Sequence, residues 1–100
     1  RVDLTLQLDH GADVDRAMDL IRGALRGIEH QVADLTPELV VLEINVWGPK
    51  LAVRPYALSS HFVQVRAECN RVLAELLRSG DLPVARGPLE HLADHYRSNG

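Results

Sequence analysis

Residues 40–56, VVLEINVWGPKLAVRPY, decide how this 100-residue chain folds. The first half alternates. Val40, Leu42, Ile44 and Val46 share one face, and Val41, Glu43, Asn45 and Trp47 share the other. Period two of this kind predicts a strand. Gly48-Pro49 is a turn signal. From Leu51 the alternation resumes, with Leu51 and Val53 facing inward and Ala52, Arg54 and Tyr56 outward. Two strands joined by so short a turn are predicted to be antiparallel neighbours. Pro55 has no N–H to give to a ladder, which predicts an edge strand or a bulge there.

Working outward, residues 2–9 alternate Val2, Leu4, Leu6 and Leu8 against Asp3, Thr5, Gln7 and Asp9, the pattern of a half-buried strand. Asp13 stands where a helix N-cap belongs, and Asp15 adds negative charge in the first turn. Val14, Ala17, Met18, Ile21, Leu25 and Ile28 follow at spacings of three and four, which predicts a helix over 14–27 stopped at Gly27. Gly23 lies inside that helix and costs about 1 kcal/mol relative to Ala; a close backbone neighbour is one reason to keep it.

On the other side, Ser59 or Ser60 is the expected cap of a second helix. Its stripe is Phe62, Val65, Cys69, Val72, Leu73, Leu76 and Leu77, and Gly80 ends it. Residues 82–85 read as a short last strand. Beyond Arg86 the patterning is weak, so 1–86 is the expected domain and 87–100 a tail, with at most a short helix over 89–96. The order strand, helix, strand, strand, helix, strand predicts an α+β fold. The economical packing is a two-layer ferredoxin-like sandwich (βαββαβ), an antiparallel sheet with two helices on one face. Thr5, Gln7, Glu43, Asn45, Arg54 and Tyr56 are then on the sheet face turned to solvent or to another subunit.

The bulk composition bounds function without supplying it. The net charge of −3 comes from interspersed acids and bases, so there is no basic footprint for nucleic acid and no polybasic cluster for anionic lipid. The single cysteine, Cys69, rules out an intrachain disulfide. No apolar run approaches the roughly 20 residues of a membrane span. The chain opens on Arg1 rather than Met and reads as a piece of a longer protein.

No catalytic motif stands out, and no catalytic, cofactor or metal residue is assigned. His91 and His95 have the i, i+4 spacing of some zinc ligands, with Asp94 nearby, but no Cys or further ligand stands beside this group in the sequence. His10 and His30 fall at element ends, where turn and cap roles are commoner, and His61 is expected to be exposed. Cys69 lies on an apolar stripe with no base paired to it, which predicts a buried hydrophobe. Trp47, Val41 and Tyr56 share the outward face and suggest an apolar patch for contact with another chain.

Residues 48–84, GPKLAVRPYALSSHFVQVRAECNRVLAELLRSGDLPV, carry a resemblance. An alternating strand ends in Arg54-Pro55-Tyr56, a helix follows with Phe62 in its first turn and Asn70-Arg71 midway, and Gly80 to Pro83 close the run. This resembles the C-terminal cytoplasmic domain of MscS-type small-conductance mechanosensitive channels. RVDLTLQLDHGADVDRAMDLI looks like the strand and helix that precede it in that family. The sequence departs from the family at His61-Phe62, where many relatives carry Tyr-Trp, and after Val84. The resemblance implies a homoheptameric inner-membrane parent opened by membrane tension, with this piece on the cytoplasmic side. The piece would help build the vestibule cage through which ions and small osmolytes reach the pore. It implies subunit or vestibule contacts at Trp47, Arg54 and Tyr56, and no enzyme, cofactor or nucleic acid.

Two other readings compete. Val46-Trp47 and the histidines are also compatible with the metal-binding cytoplasmic domain of a cation-diffusion-facilitator transporter. The same layout suits a ligand-sensing regulatory domain that binds at a dimer interface.

Overall fold

The computed structural model of the chain describes residues 1–83. His91, His95, the tail and the second half of the expected strand over 82–85 lie outside the described residues. The element order is strand β1 (Leu4–Gln7), helix α1 (Val14–Leu25), strand β2 (Glu38–Asn45), strand β3 (Gly48–Arg54), a 3-10 turn (Ser59–His61) and helix α2 (Phe62–Ser79). The result is a mixed α+β domain with a three-stranded antiparallel sheet.

The sheet order is β1-β3-β2, so β3 is its centre. This corrects the edge position expected from Pro55. The strand ends at Arg54, and Pro55 follows it. Pro49, the proline within the strand, sits opposite Ile44 next to the hairpin turn. Both neighbours of β3 run antiparallel to it, so β1 and β2 are parallel to each other. Parallel strands need a long crossover, and here α1 supplies it. Pairing at the two ends of β1 continues past the strand proper: Val2 N–H donates to Pro55 O and Leu8 N–H to Pro49 O, each at 2.8 Å.

The hairpin turn also differs from expectation. It falls at Val46-Trp47, and Gly48 already pairs with Asn45. The Asn45 side chain explains the shift. Its Oδ1 accepts from Trp47 N–H at 3.0 Å and from Gly48 N–H at 3.2 Å, a side-chain mimic of a backbone turn.

Strand β2 is bulged between Val41 and Glu43. A bulge puts two residues opposite one and shifts the alternation. Leu39 and Val41 therefore lie opposite Val53 and Leu51, while Glu43 lies opposite Lys50, with a 3.7 Å ion pair between them. The two uninterrupted faces read from the sequence do not exist across this point.

Asp13 caps α1 as expected, accepting from Arg16 N–H at 3.1 Å. Gly23 has no close neighbour: a Cβ there would meet nothing within 4 Å. Neither Ser59 nor Ser60 caps α2; both belong to the 3-10 turn, and α2 has no side-chain cap. Gly80 stops α2 in the left-handed conformation, donating to Leu77 O at 3.3 Å.

The two helical stripes meet the sheet as their spacing requires. Ala17, Ile21, Leu25 and Ile28 from the first, and Val65, Cys69 and Leu73 from the second, form one core with Val2, Leu8, Leu51, Val53 and Leu82. Each fully buried Leu, Ile or Val contributes about 1.5–3 kcal/mol. None of the described helices is long and apolar enough to cross a membrane.

Candidate functional site

The core thiol is chemically quiet. Cys69 is fully buried, and its thiol is pushed up to about 11, first by desolvation and then by the charge of Glu68. A thiolate is the reactive species. The native protein is therefore expected to resist iodoacetamide at neutral pH and to be alkylated once unfolded, with mass spectrometry as the readout; fast labelling of folded protein would contradict this burial. Among the described residues, no group of three or more His, Cys, Asp or Glu is placed to hold a metal ion.

What the surface does offer is the far end of the β2–β3 hairpin. Beyond the bulge neither described helix covers β2. Leu42 is 43% exposed, Ile44 79%, Val46 82% and Trp47 39%. Single exposed apolar residues are ordinary, but contiguous ones mark contact surfaces. Among the described residues β2 is also an edge strand, whose outer main-chain groups are free of the sheet ladder. Apolar side chains beside an unpaired edge are what strand-to-strand association uses.

This end is held rigidly. Gln7 Nε2 donates to Leu8 O, Gly48 O and Pro49 O at 3.0–3.2 Å. Its Oε1 accepts from Asn45 Nδ2 at 2.8 Å. One amide thereby ties the end of β1 to both strands of the hairpin. Gly48 lies so close to the exit of β1 that a Cβ would stand 2.6 Å from Asp9 C and His10 N, and 2.7 Å from Leu8 O.

The opposite end of the sheet is polar. Arg54 is 22% exposed and sits between two carboxylates, Asp3 and Glu38, each at 3.4 Å. Arg1 reaches the same pair, at 2.9 Å from Asp3 and 3.8 Å from Glu38. Tyr56 is half-buried, and its carbonyl accepts from Val32 N–H at 2.8 Å.

The structure thus separates the three residues singled out for contact. Trp47 is at the hairpin turn; Arg54 ends β3 and Tyr56 lies just past it, roughly 23–30 Å away at strand rise. The apolar patch forms around Leu42, Ile44, Val46 and Trp47, without Tyr56. Ile44 lies opposite Pro49, on the side of Leu51, and Val46 lies in the turn; their exposure comes from standing at the hairpin end beyond the buried core, which leaves no mark in the residue pattern.

A second cluster was also not foreseen. His61, expected to be exposed, is half-buried and stacks on His30, with ring centroids 3.8 Å apart and planes 6° from parallel. His30 has φ +68°, the one positive φ outside glycine among the described residues.

Fold and surface together define a small α+β domain with a covered core face and an uncovered apolar hairpin end. No family model matches the chain, and no curated protein matches it.

Proposed function

We propose that this chain is the C-terminal cytoplasmic domain of an MscS-type mechanosensitive channel, one subunit's share of the vestibule cage. In this reading the fold is the ferredoxin-like βαββαβ sandwich. The start of its last strand is supported by Asp9 N–H donating to Pro83 O at 2.8 Å, on the free side of β1. The parent is a homo-oligomer in the inner membrane, a heptamer by the resemblance, and the domain has no catalytic or cofactor role.

The observation that carries the reading is the hairpin end. An exposed apolar strand edge suits a wall built from repeated copies, because association buries what a lone domain leaves wet. The resemblance over residues 48–84 supplies the channel, and those residues include β3 and α2. Trp47 belongs to the apolar seam of this assembly. Arg54 and Tyr56 belong to its polar end, where Arg54 orders the wall by its pairing with Asp3 and Glu38.

The test is physiological. Bacteria lacking their own osmotic release channels, and carrying the full-length gene, are expected to survive sudden dilution, and membrane patches from them to show a tension-activated conductance. Failure of both would overturn the proposal. The double variant Ile44→Lys, Val46→Lys in the full-length protein is expected to lose its oligomeric band on native gels and to lose rescue. An oligomer of wild-type yield would remove the hairpin end from the seam.

A further inference from the structure

We propose that the hairpin end of one copy docks head-to-tail into a cleft at the other end of the sheet in the next copy. The inference rests on the reading of this domain as part of a homo-oligomer, and it names the surface that receives the apolar hairpin. A strand pair between two β2 edges is the alternative. The bulge between Val41 and Glu43 works against it, because a bulge interrupts the regular row of main-chain groups that a second strand needs. What the hairpin offers freely is side chains, those of Ile44, Val46 and Trp47.

The receiving cleft has a volume of about 300 Å³ and lies where α1 ends and its connection to β2 begins. Leu25, Ile28, Val32, Leu35 and Pro37 line it. Leu25 and Ile28 are buried, whereas Leu35 is 48% exposed. The cleft is fixed before any partner arrives. Gln31 Nε2 donates to Leu25 O at 2.7 Å and to Ile28 O at 2.9 Å. Val32 N–H donates to Tyr56 O at 2.8 Å, and Leu35 N–H to Val32 O at 3.2 Å. A preformed cleft avoids the ordering cost that weakens association. Two arginines also line it. Arg22 is paired with Asp19 at 3.1 Å, and Arg26 has no ion pair among the described residues. The hairpin brings groups that suit such a lining. Trp47 has an indole face to offer a guanidinium. Glu43, which is half exposed and 3.7 Å from Lys50, keeps acceptor capacity for a second cation.

A copy's own hairpin cannot fill its own cleft. Pro37 immediately precedes β2 and Val46 immediately follows it. The two therefore stand at opposite ends of the strand, roughly 25–30 Å apart at strand rise. The tip of one copy and the cleft of another are the pair that can meet. Because the two surfaces differ, each copy gives one and receives one. Such a contact is heterologous, and it propagates from copy to copy until the rotation closes a ring. A hairpin-to-hairpin contact would be isologous and would stop at two copies.

Disulfide trapping in the full-length protein tests this. Val46→Cys and Leu35→Cys place one thiol on each surface; both positions are exposed, and the native Cys69 is fully buried. After mild oxidation in membranes, the double variant is expected to run on non-reducing gels as a ladder of covalent oligomers, and each single variant to stay monomeric. Dimers from Val46→Cys alone would show hairpin meeting hairpin and overturn the proposal, as would a double variant that assembles without cross-linking. Leu35→Asp is expected to cut the oligomer yield about tenfold or more, the loss of one central contact. Val63→Lys, exposed on α2 and outside the cleft, is expected to leave the yield unchanged. Equal yields from these two variants would also overturn the proposal. The channel reading fails separately. A ladder without tension-activated conductance keeps the docking and removes the channel, whereas conductance without the ladder does the reverse.

Discussion

Gly48→Ala is expected to destabilise the domain by about 3–4 kcal/mol, the sum of backbone strain and an overpacked contact. In a domain of this size that lowers the melting temperature by more than about 10 °C. Two independent causes act at this position. The backbone holds φ +135°, which side chains with a Cβ rarely adopt. The added carbon would also overlap main-chain atoms of Leu8, Asp9 and His10. Backbone cannot rotate away as a side-chain tip can. Relief requires β1 and the hairpin to part, which strains the 2.8 Å bond from Leu8 N–H to Pro49 O and the three carbonyl contacts of Gln7. Gly23→Ala is the control. Its Cβ meets open space in mid-helix, so the change is expected to stabilise by about 0.4–1 kcal/mol. Thermal melts of the two variants decide the matter; a loss under about 1 kcal/mol for Gly48→Ala would mean that the hairpin does not abut β1 in this way.

The same glycine illustrates what the sequence could disclose. Gly48 reads correctly as punctuation, but its reason is a tertiary approach to residues forty positions away. The helices were legible because their packing is periodic. Ile21, Leu25, Val65, Cys69 and Leu73 are buried where a period of 3.6 puts them, and Asp13 caps where its spacing to Arg16 allows. The order of helices and the first three strands was legible for the same reason. The hairpin was legible only in outline. A bulge inserts one residue without a chemical signature and shifts Val40 and Leu42 off the face of Leu51, while Ile44 and Val46 are exposed because they stand at the hairpin end, beyond the buried core. The prolines misled because their cost depends on where along a strand they fall. Pro49 and Pro55 stand beside the turn and just past the strand end, leaving β3 free to be central. The serines misled because a 3-10 turn took them before α2 began. The His30–His61 stack joins two loops distant in sequence and had no local signal.

Ile21→Ala is expected to cost about 3 kcal/mol, and Ile44→Ala less than about 0.5 kcal/mol. The same atoms are removed in both variants, so the difference isolates environment. Ile21 is fully buried in α1, in one cluster with Leu25, Leu51, Val53 and Cys69. Truncation there loses the transfer free energy and leaves a cavity that helices and sheet cannot fully close. Ile44 is 79% exposed at the uncovered end of β2 and gives up little on truncation. Urea denaturation of both variants, with m-values checked against wild type, measures the pair. The comparison also separates stability from assembly. An isoleucine that contributes little to its own domain, beside Val46 and an open strand edge, is spared for contact with something else. A loss at Ile44 as large as that at Ile21 would show that the hairpin end is packed within its own chain, and the seam proposed for it would fall.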